Sequence, residues 1–372
     1  MWRPDKGLIS TTRQSPQLPV SAYFDDELFK REQQTIFDRL PQYAGHSLLV
    51  PEPYDYCVLP HHHNGLILVH GEQSIQLMSN VCRHRQATIL QGRGNSKRLS
   101  CPMHRWAYDS TGVLVAAPKF AELPCLQLER FPIDNWNGLQ FTGALNALAE
   151  LDAVPSSIKA LLDLNSYYFG HMEIQECNYN WKAFIEFYLE DYHVAPFHPG
   201  LGHFVSCDEI RWNFGENWSA QSVGFHKALS QPGGSETFRA WHQAVKNYYS
   251  DCLPPVGAMW LLIYPNVMVE WYPLVTVIST IYPRCSGHSI NIVEYYHPSA
   301  LKEWTDGDGM ASLASSAYLE TAIEDNQIGE RMQEGRFALM RRGTSEYGPY
   351  QADLEAGMEH FHRFLRNHLG SL

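Results

Sequence analysis

The chain has 372 residues, of which 44% are apolar and 18% are charged, and its formal net charge is −12 at pH 7. This length allows two domains, and the acidic balance argues against a nucleic-acid-binding protein and against adsorption on an anionic membrane. No apolar run reaches the roughly 18 residues of a membrane span. The polar start of the chain lacks the apolar core of a secretory signal, so we expect a cytoplasmic protein.

Local patterns predict a helix, then a β-rich region, then a mixture of helices and strands. Asp25–Leu40 starts with two aspartates and stops at Pro41, which predicts a short helix. Short apolar runs between Gly, Pro and Asn turns predict a small antiparallel β domain from about Tyr43 to Phe141. The remainder predicts the α+β class, with helices over 145–164, 180–191, 311–336 and 358–368 and strands over 263–281 and 290–296.

These patterns divide the chain into three parts. The first is an N-terminal segment with one helix (1–42), the second is the small antiparallel β domain (43–145), and the third is a larger helix-and-sheet domain (146–372). We find no internal repeat and no low-complexity tract that would indicate a different organisation.

Two of the eight cysteines have a histidine at a short, fixed offset. They form the pairs Cys82-x-His84 and Cys101-x-x-His104, separated by 16 residues within the β region. A Rieske [2Fe–2S] centre needs this inventory, with two thiolates on one iron and two imidazoles on the other. A Cys₂His₂ zinc site is the alternative, although zinc fingers usually begin with two cysteines and end with two histidines.

A second group of candidate ligands follows in the larger domain. Glu190 and His193 lie three residues apart, which would place them on one helix face. His193 and His198 lie five apart and would point about 140° away from each other on an ideal helix. Because Pro196 disfavours helical geometry at Ala195, we expect His198 to lie beyond the helix end, free to share a metal. A carboxylate from elsewhere would complete the two-histidine, one-carboxylate set of non-haem Fe(II) oxygenases.

The two groups together resemble the catalytic (α) subunits of Rieske non-haem iron oxygenases. The runs that carry the likeness are 82–108 around the Cys–His pairs and 180–198, which begins Asn-Trp-Lys and contains Glu-x-x-His-x₄-His. The resemblance implies that Cys82 and Cys101 bind one iron of the cluster and that His84 and His104 bind the other. It also implies a helix-grip-like catalytic domain in which histidines 193 and 198 bind a mononuclear iron.

The same resemblance extends to an acidic segment far along the chain. Residues 324–335 resemble the family pattern E-D-x₄-E-x₂-Q-x-G, in which Asp325 would be the third iron ligand. A shift of register would place Glu320 or Glu324 there instead, and a solvated acidic helix face is the structural alternative.

The resemblance further implies a homotrimer and a bridging role for Glu190. In the family, this carboxylate links an iron ligand to a cluster histidine of the neighbouring subunit, which here would be His104. One departure is that Phe187 follows Glu186 where many members carry Asn. We expect that substitution to reshape the surroundings of the iron without removing a ligand.

Several other residues have two interpretations. His61, His62 and His63 precede Asn-Gly and indicate a hairpin turn rather than a metal tract, and His360 and His362 indicate a surface helix. Arginines 85 and 105 could favour negative charge on the cluster or on a redox partner, or simply be solvated. Four aromatic residues could line a pocket or fill a core: Trp260, Tyr264, Trp271 and Tyr272.

The predicted function is the oxygenase component of a multicomponent system that hydroxylates or oxidatively demethylates a small organic substrate with O₂. No Gly-rich dinucleotide fingerprint and no plant-type Cys₄ ferredoxin run is present. Electrons would therefore come from a separate NAD(P)H-dependent reductase, with or without a ferredoxin. The motifs are most similar to choline-, betaine- and carnitine-type monooxygenases, whose cationic substrates suit aromatic walls. The alternatives are an aromatic-ring dioxygenase, a Rieske electron-transfer protein and a zinc-stabilised binding module.

Overall fold

The computed structural model describes residues 17–226, 233–250, 252–344 and 346–370. The first sixteen residues of the predicted N-terminal segment lie outside these ranges. The described part of that segment contains a 3₁₀ turn, Val20–Tyr23, and the helix α1, Asp26–Glu32, which continues as a π turn over Gln33–Phe37. Asp25 caps α1 by accepting the N–H groups of residues 27 and 28, so the predicted helix is confirmed.

Three small antiparallel sheets follow α1. Their orders are β1-β11-β10, β5-β2-β3-β4-β9 and β6-β7-β8. The β2–β3 connection is a hairpin that contains His61–His63, with His63 and Asn64 in the left-handed conformation, which confirms the predicted turn. The strands are β1 (Gln42–His46), β2 (Asp55–Leu59), β3 (Leu66–His70), β4 (Ile75–Ser79), β5 (Arg93–Asn95), β6 (Leu99–Ser100), β7 (Ala107–Tyr108), β8 (Leu114–Ala116), β9 (Arg130–Phe131), β10 (Ile133–Trp136) and β11 (Leu139–Thr142).

One seven-stranded antiparallel sheet dominates the rest of the chain, in the order β12-β18-β17-β16-β15-β14-β13. A 3₁₀ segment, Leu145–Ala153, and the helix α2, Ser156–Leu161, connect the small sheets to it. Its strands are β12 (Tyr167–Cys177), β13 (Val205–Phe214), β14 (Trp218–Phe225), β15 (Ala258–Ile263), β16 (Val267–Tyr272), β17 (Val275–Cys285) and β18 (His288–Pro298).

After β12 the described residues form six α-helices, and α7 is the longest of them. It contacts α3, α6 and β17, in keeping with the α+β class and the expected helix-grip arrangement. Among the described residues no helix is both long and apolar enough to cross a membrane. The helices are α3 (Trp181–Tyr188), α4 (Val194–Phe197), α5 (Leu201–Phe204), α6 (Glu236–Tyr249), α7 (Gly307–Arg341) and α8 (Ala356–Leu369).

The central strands of the large sheet are buried on both faces because different elements cover each face. Alternate residues of β16 point to opposite faces. Val269 and Trp271 share a core with Tyr43 and Phe141 of the small sheets, whereas Met268 belongs to the core formed with α3 and α8. The central strands therefore present their odd-numbered and even-numbered residues to two separate interiors, and the helix-covered interior contains the candidate site.

Candidate metal centres

Cysteines 82 and 101 begin two loops of the same backbone conformation. In each loop the cysteine N–H donates to the carbonyl five residues later, at 2.9 and 2.8 Å. The N–H four residues later donates back to the cysteine carbonyl, at 3.0 and 3.1 Å. The residue at that fourth position, Gln86 or Arg105, has a positive φ, at 55° and 60°. The two loops thus offer their ligands from equivalent, hydrogen-bonded frames.

The four side chains of these loops converge at the tip of the small β region. Both thiols are buried, and the rings of His84 and His104 lie 4.6 Å apart between centroids. His84 also stacks on Trp106 at 4.7 Å with an interplanar angle of 9°. Its Nδ1 atom is buried and has no hydrogen-bond partner among the described residues. An orphaned ring nitrogen beside two buried thiols fits a ligand of a [2Fe–2S] cluster.

Tyr108 places a hydroxyl beside one of the thiols. Its oxygen lies 3.4 Å from Sγ of Cys82 and accepts the N–H of Arg83 at 2.9 Å. Because the backbone N–H occupies a lone pair of the hydroxyl, the phenol proton is free to point toward sulfur. Hydrogen bonds to cluster sulfurs are one of the factors that set the reduction potential of such a centre.

The second candidate centre is a triangle of three ligand atoms below the large sheet. Nε2 of His193 lies 3.1 Å from Nε2 of His198, and Oδ1 of Asp325 lies 3.4 and 2.9 Å from these two atoms. Oδ1 of Asp325 is buried without a partner of hydrogen-bonding geometry among the described residues. Ligands bound at about 2.1 Å in adjacent octahedral positions lie about 3.0 Å apart. The triangle therefore fits one face of an octahedral metal ion.

The chain reaches this geometry differently from the sequence-based expectation. The helix predicted to reach Asp191 ends at Tyr188, whose carbonyl accepts from Gln221 at 3.0 Å, so Glu190 and His193 meet through a turn and not on one helix face. Pro196 does not break the helix as expected, because Ala195 and Pro196 both lie inside α4, although His198 does lie beyond the end of that helix. Proline is tolerated in a first helical turn, where N–H groups have no intrahelical partner.

Helix α4 sets the position of both imidazoles. His193 precedes it and His198 closes it, since the N–H of His198 donates to the carbonyl of Val194 at 3.0 Å. One helical turn therefore separates the two ligands, and their side chains fold back toward the same point.

A carboxylate lies against the second ring nitrogen of each imidazole. Nδ1 of His193 is 2.7 Å from Oε1 of Glu190, and Nδ1 of His198 is hydrogen-bonded to Oε2 of Glu324 at 2.8 Å. Such partners fix the ring orientation of metal-binding histidines and raise their basicity. Glu324, which the sequence offered only as an alternative ligand, thus contacts His198 from behind, while Glu320 accepts from Ser235 at 2.8 Å and lies outside the triangle.

These contacts change the pKa values of His193 and Asp325. Burial acts to lower the pKa of His193, but the nearby carboxylates of Asp325 and Glu190 outweigh it and raise that pKa to about 10. Burial likewise opposes ionisation of Asp325, yet the two imidazoles lower its pKa. A metal ion must displace the imidazole proton to bind, so its affinity is expected to rise with pH.

The Asn-Trp-Lys run that opens α3 anchors this helix to the N-terminal segment. Asn180 caps α3 by accepting the N–H of Lys182 and donates to the carbonyl of Tyr23 at 3.1 Å. Trp181 and Lys182 both donate to Glu32 of α1, at 2.8 and 2.5 Å. The run therefore holds the helix that leads into the ligand turn.

The sequence predicted His360 and His362 on a surface helix, and the structure differs. Both belong to α8 but are buried, 8% and 1% exposed, so they do not mark a surface helix. His360 bonds to the hydroxyl of Tyr264 at 2.7 Å, and His362 bonds to Glu186 at 2.9 Å. Their polar side chains are satisfied by partners that the local sequence cannot indicate.

A cavity opens beside Asp325. The sequence left open whether four aromatic residues line a pocket or fill a core, and of these four only Tyr272 lines the cavity. Trp260 donates to the Tyr272 hydroxyl from behind at 2.7 Å, and Trp271 belongs to the core on the opposite face of the sheet. Phe187, at the position where the family pattern often has Asn, is part of the wall. Six aromatic residues line the cavity: Tyr179, Phe184, Phe187, Tyr188, Tyr272 and Tyr318.

The cavity also contains a carboxyl group that sequence reasoning missed. Glu270 of β16 is 4% exposed, and its two oxygens accept the hydroxyls of Tyr272 and Tyr318, both at 2.9 Å. Burial raises the pKa of Glu270 to about 8, against the opposing effect of these hydrogen bonds. The available signal was a lone acidic residue within the otherwise apolar strand 267–272.

Comparison with known families agrees with both centres. The family model described as ring hydroxylating alpha subunit (catalytic domain) matches residues 162–371, and the model of the Rieske [2Fe–2S] domain matches residues 53–127. The chain belongs to the Rieske oxygenase α subunits. It therefore carries a Rieske [2Fe–2S] domain and a catalytic domain of the kind that holds a mononuclear iron, and it is an oxygenase that acts with O₂ and externally supplied electrons.

The chain is also similar to individual proteins of known activity and to solved structures. Putrescine 2-hydroxylase of Ralstonia nicotianae is 49% identical over 354 residues, which cover 94% of both chains. The carnitine monooxygenase oxygenase subunit of Escherichia coli is 26% identical over 94% of this chain and 92% of its own. Among solved structures, a quaternary ammonium Rieske monooxygenase superposes with a TM-score of 0.75 at 18% identity, over 95% of this chain and 96% of the other. This last likeness concerns the fold alone.

Proposed function

We propose that this Rieske oxygenase hydroxylates a small aliphatic amine, with a short diamine such as putrescine as the first candidate. The observation that carries the proposal is the aromatic cavity beside Asp325, which contains one buried carboxyl group and is closed to bulk solvent on the side of the sheet. The 49% identity to a putrescine 2-hydroxylase supports the same choice.

We propose the following ligands for the two centres. Cys82 and Cys101 hold one iron of the cluster and His84 and His104 hold the other, while the triangle of His193, His198 and Asp325 holds the mononuclear iron. When bound, the cluster supplies single electrons and the mononuclear iron supplies the activation of O₂.

The protein side chains position these groups and the substrate. The carboxylates of Glu190 and Glu324 hold the two imidazoles with their Nε2 atoms toward one point. Three ligands on one face leave the opposite face to O₂ and substrate. The aromatic walls limit the entry of water, and they present π faces that attract a cation.

We also propose a homotrimer in which Glu190 links His193 to His104 of the partner subunit. His104 is exposed, and its neighbour Met103 is 58% exposed, so the cluster tip is accessible to another protein. Tyr192, next to the iron ligands, is 63% exposed as well. Both surfaces suit a contact between subunits.

We also propose an electron donor, a cellular location and a division of the chain into three parts. The electron donor is an NAD(P)H-dependent reductase, with or without a ferredoxin. We propose a cytoplasmic location, because none of the eight cysteines, all of which lie within the described residues, forms a disulfide, as a reducing compartment favours. The segments 1–42, 43–145 and 146–372 are its N-terminal, Rieske and catalytic parts.

Reconstituted turnover tests the proposed substrate. The holoenzyme, a compatible reductase, NADH and putrescine are incubated under ¹⁸O₂, and the product is examined by mass spectrometry. A hydroxylated diamine that contains one ¹⁸O atom supports the proposal. NADH consumption that yields no oxygenated amine, or oxygenation only of aromatic or quaternary ammonium compounds, contradicts it.

A further inference from the structure

The carboxyl group of Glu270 lies in an unusual electrostatic position. It is buried in the cavity beside the iron site, and no lysine, arginine or histidine is among the described residues that line this cavity. Two other buried carboxylates of the helix-covered interior have cationic partners. Glu32 lies 2.5 Å from Lys182, and Glu186 lies 2.5 Å from Arg336. Buried charges are normally paired, so an ionised Glu270 would need a cation other than the described residues that line the cavity.

The hydrogen bonds around Glu270 hold the carboxyl in place without satisfying it. Each oxygen accepts one tyrosine hydroxyl, and each retains a further lone pair for another donor. Trp260 fixes the Tyr272 hydroxyl from behind at 2.7 Å. This arrangement is rigid, and it leaves acceptor capacity for an N–H donor that enters the cavity.

A second polar atom in the same cavity is unsatisfied. The hydroxyl of Tyr188 is buried and has no hydrogen-bond partner among the described residues. It belongs to the last residue of α3, close to the turn that carries the iron ligands. A donor-rich cation between this hydroxyl and Glu270 would satisfy both groups.

We propose that Glu270 binds a primary ammonium group of the substrate, and that it thereby selects N–H-bearing amines over quaternary ammonium compounds. The inference rests on the proposed amine hydroxylase function and names the residue that recognises the amine. A quaternary ammonium has no N–H to donate, so it gains only the attraction of the aromatic walls and of the charge. A primary ammonium adds charge-assisted hydrogen bonds to the carboxylate.

The matched control for Glu270 is Glu294. Glu294 is also 4% exposed and also accepts two tyrosine hydroxyls, from Tyr43 at 2.9 Å and Tyr296 at 2.5 Å, but it does not line the cavity. Glu270→Gln and Glu294→Gln therefore make the same chemical change in two similar environments. Iron and sulfide contents of both variants are measured first, so that loss of a metal centre is not mistaken for loss of substrate binding.

The experiment measures binding to the anaerobic holoenzyme by calorimetry, with putrescine, butylamine and butyltrimethylammonium as probes. We expect Glu270→Gln to weaken binding of the two primary amines by about 100-fold. Glu294→Gln should remain within about threefold of wild type, and the selectivity of wild type for butylamine over its trimethylated analogue should disappear in Glu270→Gln.

A second variant keeps the inference testable if Glu270→Gln fails to retain iron. Tyr188→Phe should weaken butylamine binding by about tenfold and leave butyltrimethylammonium unchanged. If wild type binds butylamine but not putrescine, the proposed diamine is wrong while the role of Glu270 stands. If iron-replete Glu270→Gln binds butylamine within about threefold of wild type, or if wild type prefers the trimethylated probe, the inference is overturned.

Discussion

At the scale of single residues, the triangle of iron ligands depends on the groups behind it. The sequence predicted His193, His198 and Asp325, and the structure brings these three together. The sequence did not predict that Glu324 bonds to His198, because two adjacent helical residues point about 100° apart and only the fold decides what each one meets.

Removing the carboxylate behind His198 should loosen the iron. Glu324→Gln leaves the three ligands in place but takes away the anionic partner of Nδ1, so Fe(II) affinity should fall by roughly 10- to 100-fold. Competition with a chelator measures this affinity. Glu320→Gln on the same helix, whose carboxylate bonds to Ser235, is the control and should behave as wild type. Equal affinity in all three proteins would show that Glu324 has no part in holding the ligand.

At the scale of secondary-structure elements, a buried ionic cluster ties three helices to the N-terminal segment. Glu186 of α3 accepts from Arg336 of α7, His362 of α8 and the hydroxyl of Tyr23. Burial alone would raise the pKa of Glu186, but the charge of Arg336 and the bond from His362 outweigh it and lower the pKa to about 2. The cluster thus connects the helix before the ligand turn to the helix that carries Asp325.

The depressed pKa of Glu186 predicts a pH dependence of stability. A carboxyl whose pKa is lower in the folded state contributes its stabilisation above its ordinary pKa, near 4.5, and loses it as pH falls toward about 2. The shift corresponds to about 3 kcal/mol. Denaturant unfolding at a series of pH values should therefore show a smaller acid-dependent loss in Glu186→Gln than in wild type.

The same variant should already be less stable at neutral pH. Leaving Arg336 buried without its anion should cost about 3–5 kcal/mol. Glu334→Gln changes an exposed carboxyl of the same helix and should change the stability little. If Glu186→Gln and wild type lose stability in parallel below pH 4.5, the cluster does not stabilise the fold.

Element prediction succeeded where local patterns dominate. Helix α7 and strands β16 to β18 follow clear patterns, and α1 has a cap and a proline stop. Strands β12 to β15 and helix α6 were not predicted; β12, for example, has polar side chains along much of its length. The end of α3 depends on Gln221 and on the carbonyl of Leu354, which accepts from Asp191 at 3.3 Å; contacts so distant in sequence leave no local signal.

At the scale of the whole molecule, the two centres occupy different regions of the chain. The Cys–His loops are part of a core formed by the small sheets, whereas the triangle lies under the helix-covered face of the large sheet. The proposed trimer would place the cluster of one subunit next to the iron of another. The exposed cluster tip and the exposed Tyr192 are the surfaces that such a contact would bury.

Mixed oligomers test whether electrons cross between subunits. Cys82→Ala removes a cluster ligand and His193→Ala removes an iron ligand, so each variant alone should be inactive. Co-expressed, they form oligomers in which an intact cluster adjoins an intact iron on a neighbouring chain, and activity should return to a fraction of wild type. No recovery in oligomers shown to contain both chains would indicate transfer within one chain.

The central claim is that one chain holds two iron centres on separate sets of residues. The most direct test is a count of iron and acid-labile sulfide in anaerobically purified protein, together with EPR after dithionite reduction. We predict about three iron and two sulfide per chain, about two and two in His193→Ala, and about one and none in Cys82→Ala, with the Rieske signal lost only in the last. Zinc without sulfide, or equal iron contents in wild type and His193→Ala, would contradict the claim.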